Sequence, residues 1–166
     1  MATQRRARGS PKSPRHFLSI DNAQRRVTLP IPALRRFLSL VHGELRLHPT
    51  STFVRFVTDA EMQRLNSRFR HKFQTTDVLS FPSEIRTTPR TLFRRTIELR
   101  GQFLGDIAIS PSVARRNARA FQRTLVEELC ILMLHGILHL LGYDHETDRG
   151  EMDRVEAKLR RRLGLT

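Results

Sequence analysis

The stretch that most constrains this chain is TLVEELCILMLHGILHLLG, residues 124–142. Thr124 with Glu127 three positions on is a capping box, which satisfies free N–H groups at a helix start, and Gly142 offers a left-handed stop. Between them almost every residue is apolar. A helix apolar on all sides has no solvent face, so this one, running to Leu141, is the central helix around which a core is built. A chain of 166 residues has room for one such core, and therefore for one domain.

The flanking segments supply what surrounds it. His16 to Ile20 suggests a first strand, and Pro32 opens a helix in which Leu34, Phe37, Leu38 and Val41 recur at helical spacing. STFVRFV (51–57) alternates as a strand, and Thr58 to Glu61 is a second capping box leading a helix through Met62, Leu65 and Phe69. TDVLSF (76–81) reads as an interior strand stopped by Pro82. A loop of about twenty residues with Arg86, Arg90, Arg94, Arg95 and Arg100 follows, long enough to suspect a function. GQFLGDIAIS is another strand, Ser110-Pro111 caps a helix to about Gln122, and a last helix runs from about Asp148 to Leu163. Four strand signals among five helical segments predict a mixed α+β or α/β domain over residues 16–166. Residues 1–15 carry five positive charges, no acid and almost no apolar residue, and read as a disordered basic arm. A transit peptide is the alternative, although it would need an apolar face that this stretch lacks.

Charge narrows the choice of partner. The formal net charge is +14, an excess that draws a protein to polyanions through counterion release, so RNA, DNA or the ribosome lead. The competing explanation is an arginine-biased genome, since only Lys12, Lys72 and Lys158 of the 30 basic residues are lysine. That accounts for arginine over lysine better than for the net excess. No apolar run reaches the roughly 18 residues of a membrane span. The single cysteine, Cys130, permits no intramolecular disulfide and suits a reducing, cytoplasmic setting, as a buried structural thiol or as a reactive one.

The chemistry concentrates in LHGILHLLGYDH, residues 134–145. His135 and His139, at i and i+4, project from one helix face, and Gly142 lets the chain reverse so that His145 approaches the same point. This H-x3-H-x2-G-x2-H spacing is the one by which metzincin peptidases gather three imidazoles around zinc, leaving a fourth position open for water. Histidines at i and i+4 also arise by chance, as satisfied core or rim residues. The glycine and third histidine at the right offset, inside an apolar helix where unpaired imidazoles are costly, favour a metal. Zinc is the default, with nickel and copper as alternatives. The peptidase base is absent, because its position is occupied by Gly136. Asp144 is the nearest acid and either acts as a base or orients His145.

With these residues in place the chain resembles the YbeY family of metal-dependent single-strand endoribonucleases that mature rRNA. HGILHLLGYDH (135–145) matches the family signature, LNSRFRHKFQTTDVLSFP (65–82) resembles its L-N-x-x-Y-R and T-D-V-L-S-F-P segments, and LGDIAIS (104–110) resembles its L-G-D-I-x-I-S strand. Departures occur at Phe69 for tyrosine, at Phe73 where an acid is common, and at Thr75 where proline is common. The resemblance implies that His135, His139 and His145 bind zinc, and that Arg70 sits in the active-site groove to grip a phosphate with its planar fork. It also implies that Asp106 is structural or shapes the site, and that Asp77 fixes a strand or turn. The implied fold is a twisted, mostly parallel sheet of about four strands with one antiparallel edge strand, packed by about five helices. The implied role is processing of ribosomal RNA, notably the 3′ end of the small-subunit RNA, and ribosome quality control, with small-subunit ribosomal proteins and the GTPase Era as partners. Two other readings stand beside it. One is a ribosome-assembly factor with a structural zinc, and the other is a metallopeptidase, for which Gly136 supplies no base.

Overall fold

Capping residues set where three helices begin. In the computed structural model, which describes residues 19–48, 52–83 and 103–165, the hydroxyls of Thr58, Ser110 and Thr124 accept the N–H groups of Glu61 (3.2 Å), Val113 (3.3 Å) and Glu127 (3.2 Å). Helices α2 (Asp59–Arg70), α3 (Pro111–Ala120) and α4 (Leu125–Leu140) start there, and α1 (Ile31–Glu44) opens with proline in its first turn. The final helix, α5, spans Glu151–Arg162 and so begins later than expected. The Asp148 carboxylate takes the N–H groups of Gly150, Glu151 and Met152, capping the helix from outside instead of joining it.

Strands β1 (Ser19–Asn22), β2 (Thr52–Phe56), β3 (Val78–Pro82) and β4 (Gly105–Ile109) form a sheet in the order β1-β2-β4-β3. β1 and β4 run parallel to β2, and β3 runs antiparallel to β4. The mostly parallel sheet with one antiparallel edge strand is as expected. The TDVLSF segment is not interior, however, because among the described residues β3 pairs on one side only. Its apolar run has another cause. Leu79 and Phe81 pack with Met62 and Leu65 of α2, while Val78 joins the main core, so an edge strand is covered on both faces.

Helix α4 lies against β3, β4, α1, α3 and α5, with Leu129, Met133, Leu134, Ile137 and Leu138 fully buried. Cys130 is buried in it, and burial pushes its thiol up to about 12. The two-residue period of β4 sends Ile107 toward α4 and Ala108 toward α2. No helix among the described residues is long and apolar enough to cross a membrane. The basic arm of residues 1–15 and the loop carrying Arg86, Arg90, Arg94, Arg95 and Arg100 lie outside the described residues.

Candidate metal centre and its groove

Helix α4 places His135 and His139 one turn apart, and the way it ends brings in the third ring. Gly142 has φ 88°, the Tyr143 N–H bonds the Leu138 carbonyl at 3.1 Å, and the Gly142 N–H bonds that of His139 at 2.9 Å. This is the paired closure in which glycine adopts the left-handed turn that other residues resist. It returns the chain so that the rings of His135, His139 and His145 lie 4.7, 5.3 and 5.4 Å apart by centroid. One ligand atom from each lies within 4.8 Å of the others.

The outward-facing nitrogens decide what the rings offer. His135 Nδ1 is 2.9 Å from Glu156 Oε2, and His139 Nδ1 is 3.0 Å from the Tyr143 carbonyl oxygen. An ionised carboxylate and a carbonyl only accept, so both Nδ1 atoms carry a proton, and in the neutral rings both Nε2 atoms keep a lone pair. Those two Nε2 atoms face each other at 3.1 Å. Lone pairs that close repel unless a cation lies between them, and imidazole nitrogens around tetrahedral zinc sit roughly 3.3 Å apart, from Zn–N distances of about 2.0–2.1 Å. The donor set fits a divalent metal.

Glu156 is 6% exposed and reaches the site from α5, where Arg160 Nη2 bonds its other oxygen. Burial by itself would raise this carboxyl, but the His135 hydrogen bond and the Arg160 charge outweigh it and hold it below the usual range. Sequence reading missed both residues, although a signal existed. Met152, Glu156 and Leu159 share the buried stripe of α5, and an acid in an apolar stripe calls for a partner. His139 is made less basic, first by burial and then by His135 and His145, against the opposing Tyr143 carbonyl and Asp144.

The three histidines line a groove of about 300 Å³ whose walls include Asn66, Arg70, Lys72, Ser80 and Glu146. Arg70 is thus brought to the histidines from the end of α2. Among the described residues no carboxylate pairs with it. Asp144 and Asp106 are not among the lining residues. Asp144 Oδ1 accepts the Glu146 N–H at 3.1 Å and Oδ2 accepts the Thr147 hydroxyl at 3.0 Å, so its carboxylate shapes the turn around His145. The Glu146 hydrogen bond holds that carboxyl below its usual range. Asp106 neighbours Ile107 on β4 and pairs in register with Phe81, on the α2 side of the sheet and away from the α4 rings. Asp77 accepts the Val78 N–H at 2.8 Å and the Asn117 amide at 3.0 Å, which ties β3 to α3.

Gly136 explains the missing glutamate. A Cβ there would lie 2.9 and 3.0 Å from two Ile107 carbons and 3.2 Å from Ser80 Oγ. The helix packs so closely on β3 and β4 at this point that position 136 has no room for a side chain, and it faces the sheet.

Known proteins resemble this chain over most of its length. The family model described as endoribonuclease YbeY matches residues 19–164. A protein named endoribonuclease YbeY from Solibacter usitatus is 45% identical over 139 residues, covering 83% of this chain and 82% of its own. One of the same name from Sulfurovum sp. is 38% identical over 151 residues, covering 90% and 92%. The solution structure of TM1509 from Thermotoga maritima superposes with a TM-score of 0.56 at 27% identity, covering 87% of this chain and 88% of that one.

Proposed function

The chain belongs to the YbeY endoribonuclease family, and from that premise we propose that its three-histidine centre holds one zinc ion in a groove, lined also by Arg70 and Lys72, in which single-stranded ribosomal RNA is cut. The enzyme is an endoribonuclease, a hydrolase of RNA phosphodiester bonds. The observation that carries the finer reading is the convergence of His135, His139 and His145 with Arg70 in one groove.

Bound zinc supplies an acidified water or polarises a phosphoryl oxygen. The protein's residues do the rest. Glu156 and the Tyr143 carbonyl fix the tautomers of His135 and His139, so that each presents a lone pair inward. Arg70, unpaired among the described carboxylates, grips the scissile or an adjacent phosphate with its planar fork and opposes the charge that develops on its oxygens. Asp144 acts through the backbone as a positioning residue, holding the turn that carries His145; its depressed carboxyl is a poor base. Asp106, outside the groove lining, takes no part in the reaction. Maturation of the 3′ end of the small-subunit RNA, ribosomal proteins and the GTPase Era as partners, and a cytoplasmic setting belong to the same proposal.

A metallopeptidase is disfavoured because Gly136 lacks both a base and the room for one. A purely structural zinc is disfavoured because the three rings line an open groove instead of a closed cage. The test is cleavage of a single-stranded rRNA fragment, metal-replete, by the native chain, His139→Ala and Arg70→Ala. Cutting by the native chain alone supports the nuclease reading. Equal cutting by all three, or none by any, overturns it.

A further inference from the structure

Beside the groove that Arg70 and Lys72 line stands an aromatic ring that the proposed chemistry does not use. Phe73 is 82% exposed, the most exposed of the large apolar side chains among the described residues. Its chain neighbours on both sides, Lys72 and Gln74, line the groove together with Arg70 and the histidines. A phenylalanine left in water this way forgoes the gain of burial, which a ligand that covers the ring would recover.

The loop is built to hold the ring there. Helix α2 ends with His71 in the left-handed conformation, φ 55°, which turns the chain sharply after Arg70. Two side-chain amides of α2 then strap the loop back: Gln63 Nε2 donates to the Phe73 carbonyl at 2.9 Å, and Asn66 Nδ2 donates to the Gln74 carbonyl at 2.7 Å. The backbone on both sides of the ring is thereby anchored, and the ring's exposure comes from the architecture. Phe69, the other exposed aromatic here, already meets Phe81 edge-on at 5.0 Å and Arg68 at 5.4 Å.

We propose that Phe73 is a stacking platform for one unpaired base of the RNA, next to the phosphates held by Arg70 and Lys72. This deepens the nuclease reading and rests on it. Charge complementarity selects the occupant: an aromatic face among cations suits a nucleic acid strand, whose phosphates meet the cations while a base covers the ring. A base in a duplex has both faces occupied by its neighbours, so the platform selects single strands.

The chain contains no tryptophan, so Phe73→Trp installs a single reporter on the platform. Binding of a 2′-O-methyl oligoribonucleotide, which resists cleavage, is measured with the full-length native chain, Phe73→Ala, Phe73→Leu and Phe73→Trp, with Phe121→Ala as a control at an exposed ring outside the groove. Expected are a loss of affinity of roughly tenfold for Ala and Leu, retention for Trp and Phe121→Ala, and quenching of the new indole by the single strand but not by its duplex. Native affinity in Phe73→Ala and Phe73→Leu, an unquenched indole at saturation, or no binding by the native chain overturns the platform. Cleavage by the native chain is scored in parallel. Cleavage with no effect of Phe73 sinks only the platform, and stacking without cleavage sinks only the nuclease reading.

Discussion

His135 Nδ1 lies 2.9 Å from the Glu156 carboxylate, a hydrogen bond that joins the central helix to the last one across twenty-one residues of sequence. The contact turns a buried acid into the group that orients one of the three clustered imidazoles. Because Arg160 holds the other carboxylate oxygen, the arrangement reaches from the three histidines into the last turn of α5.

Glu156→Ala should weaken zinc binding by about 10- to 100-fold, the usual cost of losing such an outer partner. Glu156→Gln keeps an acceptor and should lose less. Competition with a chelator of known affinity, followed by absorbance, measures both, and equal affinity in all three proteins would remove Glu156 from the site.

Gly136→Ala forces a methyl group to within 3.0 Å of Ile107. Overpacking of this kind costs about 1–3 kcal/mol, to be read from urea unfolding at neutral pH. Gly136→Glu should lose more stability and gain no peptidase activity, because the position faces the sheet. A stable Gly136→Glu protein that hydrolyses casein would contradict this geometry.

Arg70→Ala should lower kcat/KM on single-stranded RNA by about a hundredfold, the scale of losing one donor to developing charge. Arg70→Lys keeps the charge without the fork and should recover only part of it. Steady-state cleavage of a labelled oligoribonucleotide checks both. Full activity in Arg70→Lys would show that charge alone suffices.

His42 sets a pH dependence remote from the metal site. It is 2% exposed, its Nε2 is 2.9 Å from Thr52 Oγ1, and burial first and then His48 lower it from 6.5 to about 4. Between those values the unfolded chain holds a proton that the folded chain refuses, so the stability is present in full above about pH 6.5 and is lost as pH falls toward 4. The whole loss amounts to about 3 kcal/mol. Urea unfolding at pH 7 and pH 5 should show about 2 kcal/mol more acid loss in the native chain than in His42→Gln. Equal losses would mean that His42 titrates normally.

Much of the site was legible in local sequence because its geometry is local. Three histidines and a glycine within eleven residues suffice to define the cluster, since helix pitch and one left-handed turn determine where the rings go. Capping residues likewise marked three helix starts. What local pattern could not give was pairing across distance. The edge position of β3 depends on which strands hydrogen-bond, and its apolar residues report only that both faces are covered. Asp106 was read from its strand motif as structural or as shaping the site, and strand alternation turns it toward α2. Glu156 and Arg160 stood in a helix read only for its span, and their roles emerge once α5 packs against α4.

The most direct measurement is metal content coupled to cleavage. Purified native chain should hold one zinc per molecule by elemental analysis, lose cleavage of single-stranded rRNA on stripping, and regain it with one equivalent of zinc. His135→Ala, His139→Ala and His145→Ala should each lose zinc and cleavage together. Undiminished cleavage by the stripped protein, or by a histidine variant that binds no metal, would contradict the three-histidine centre.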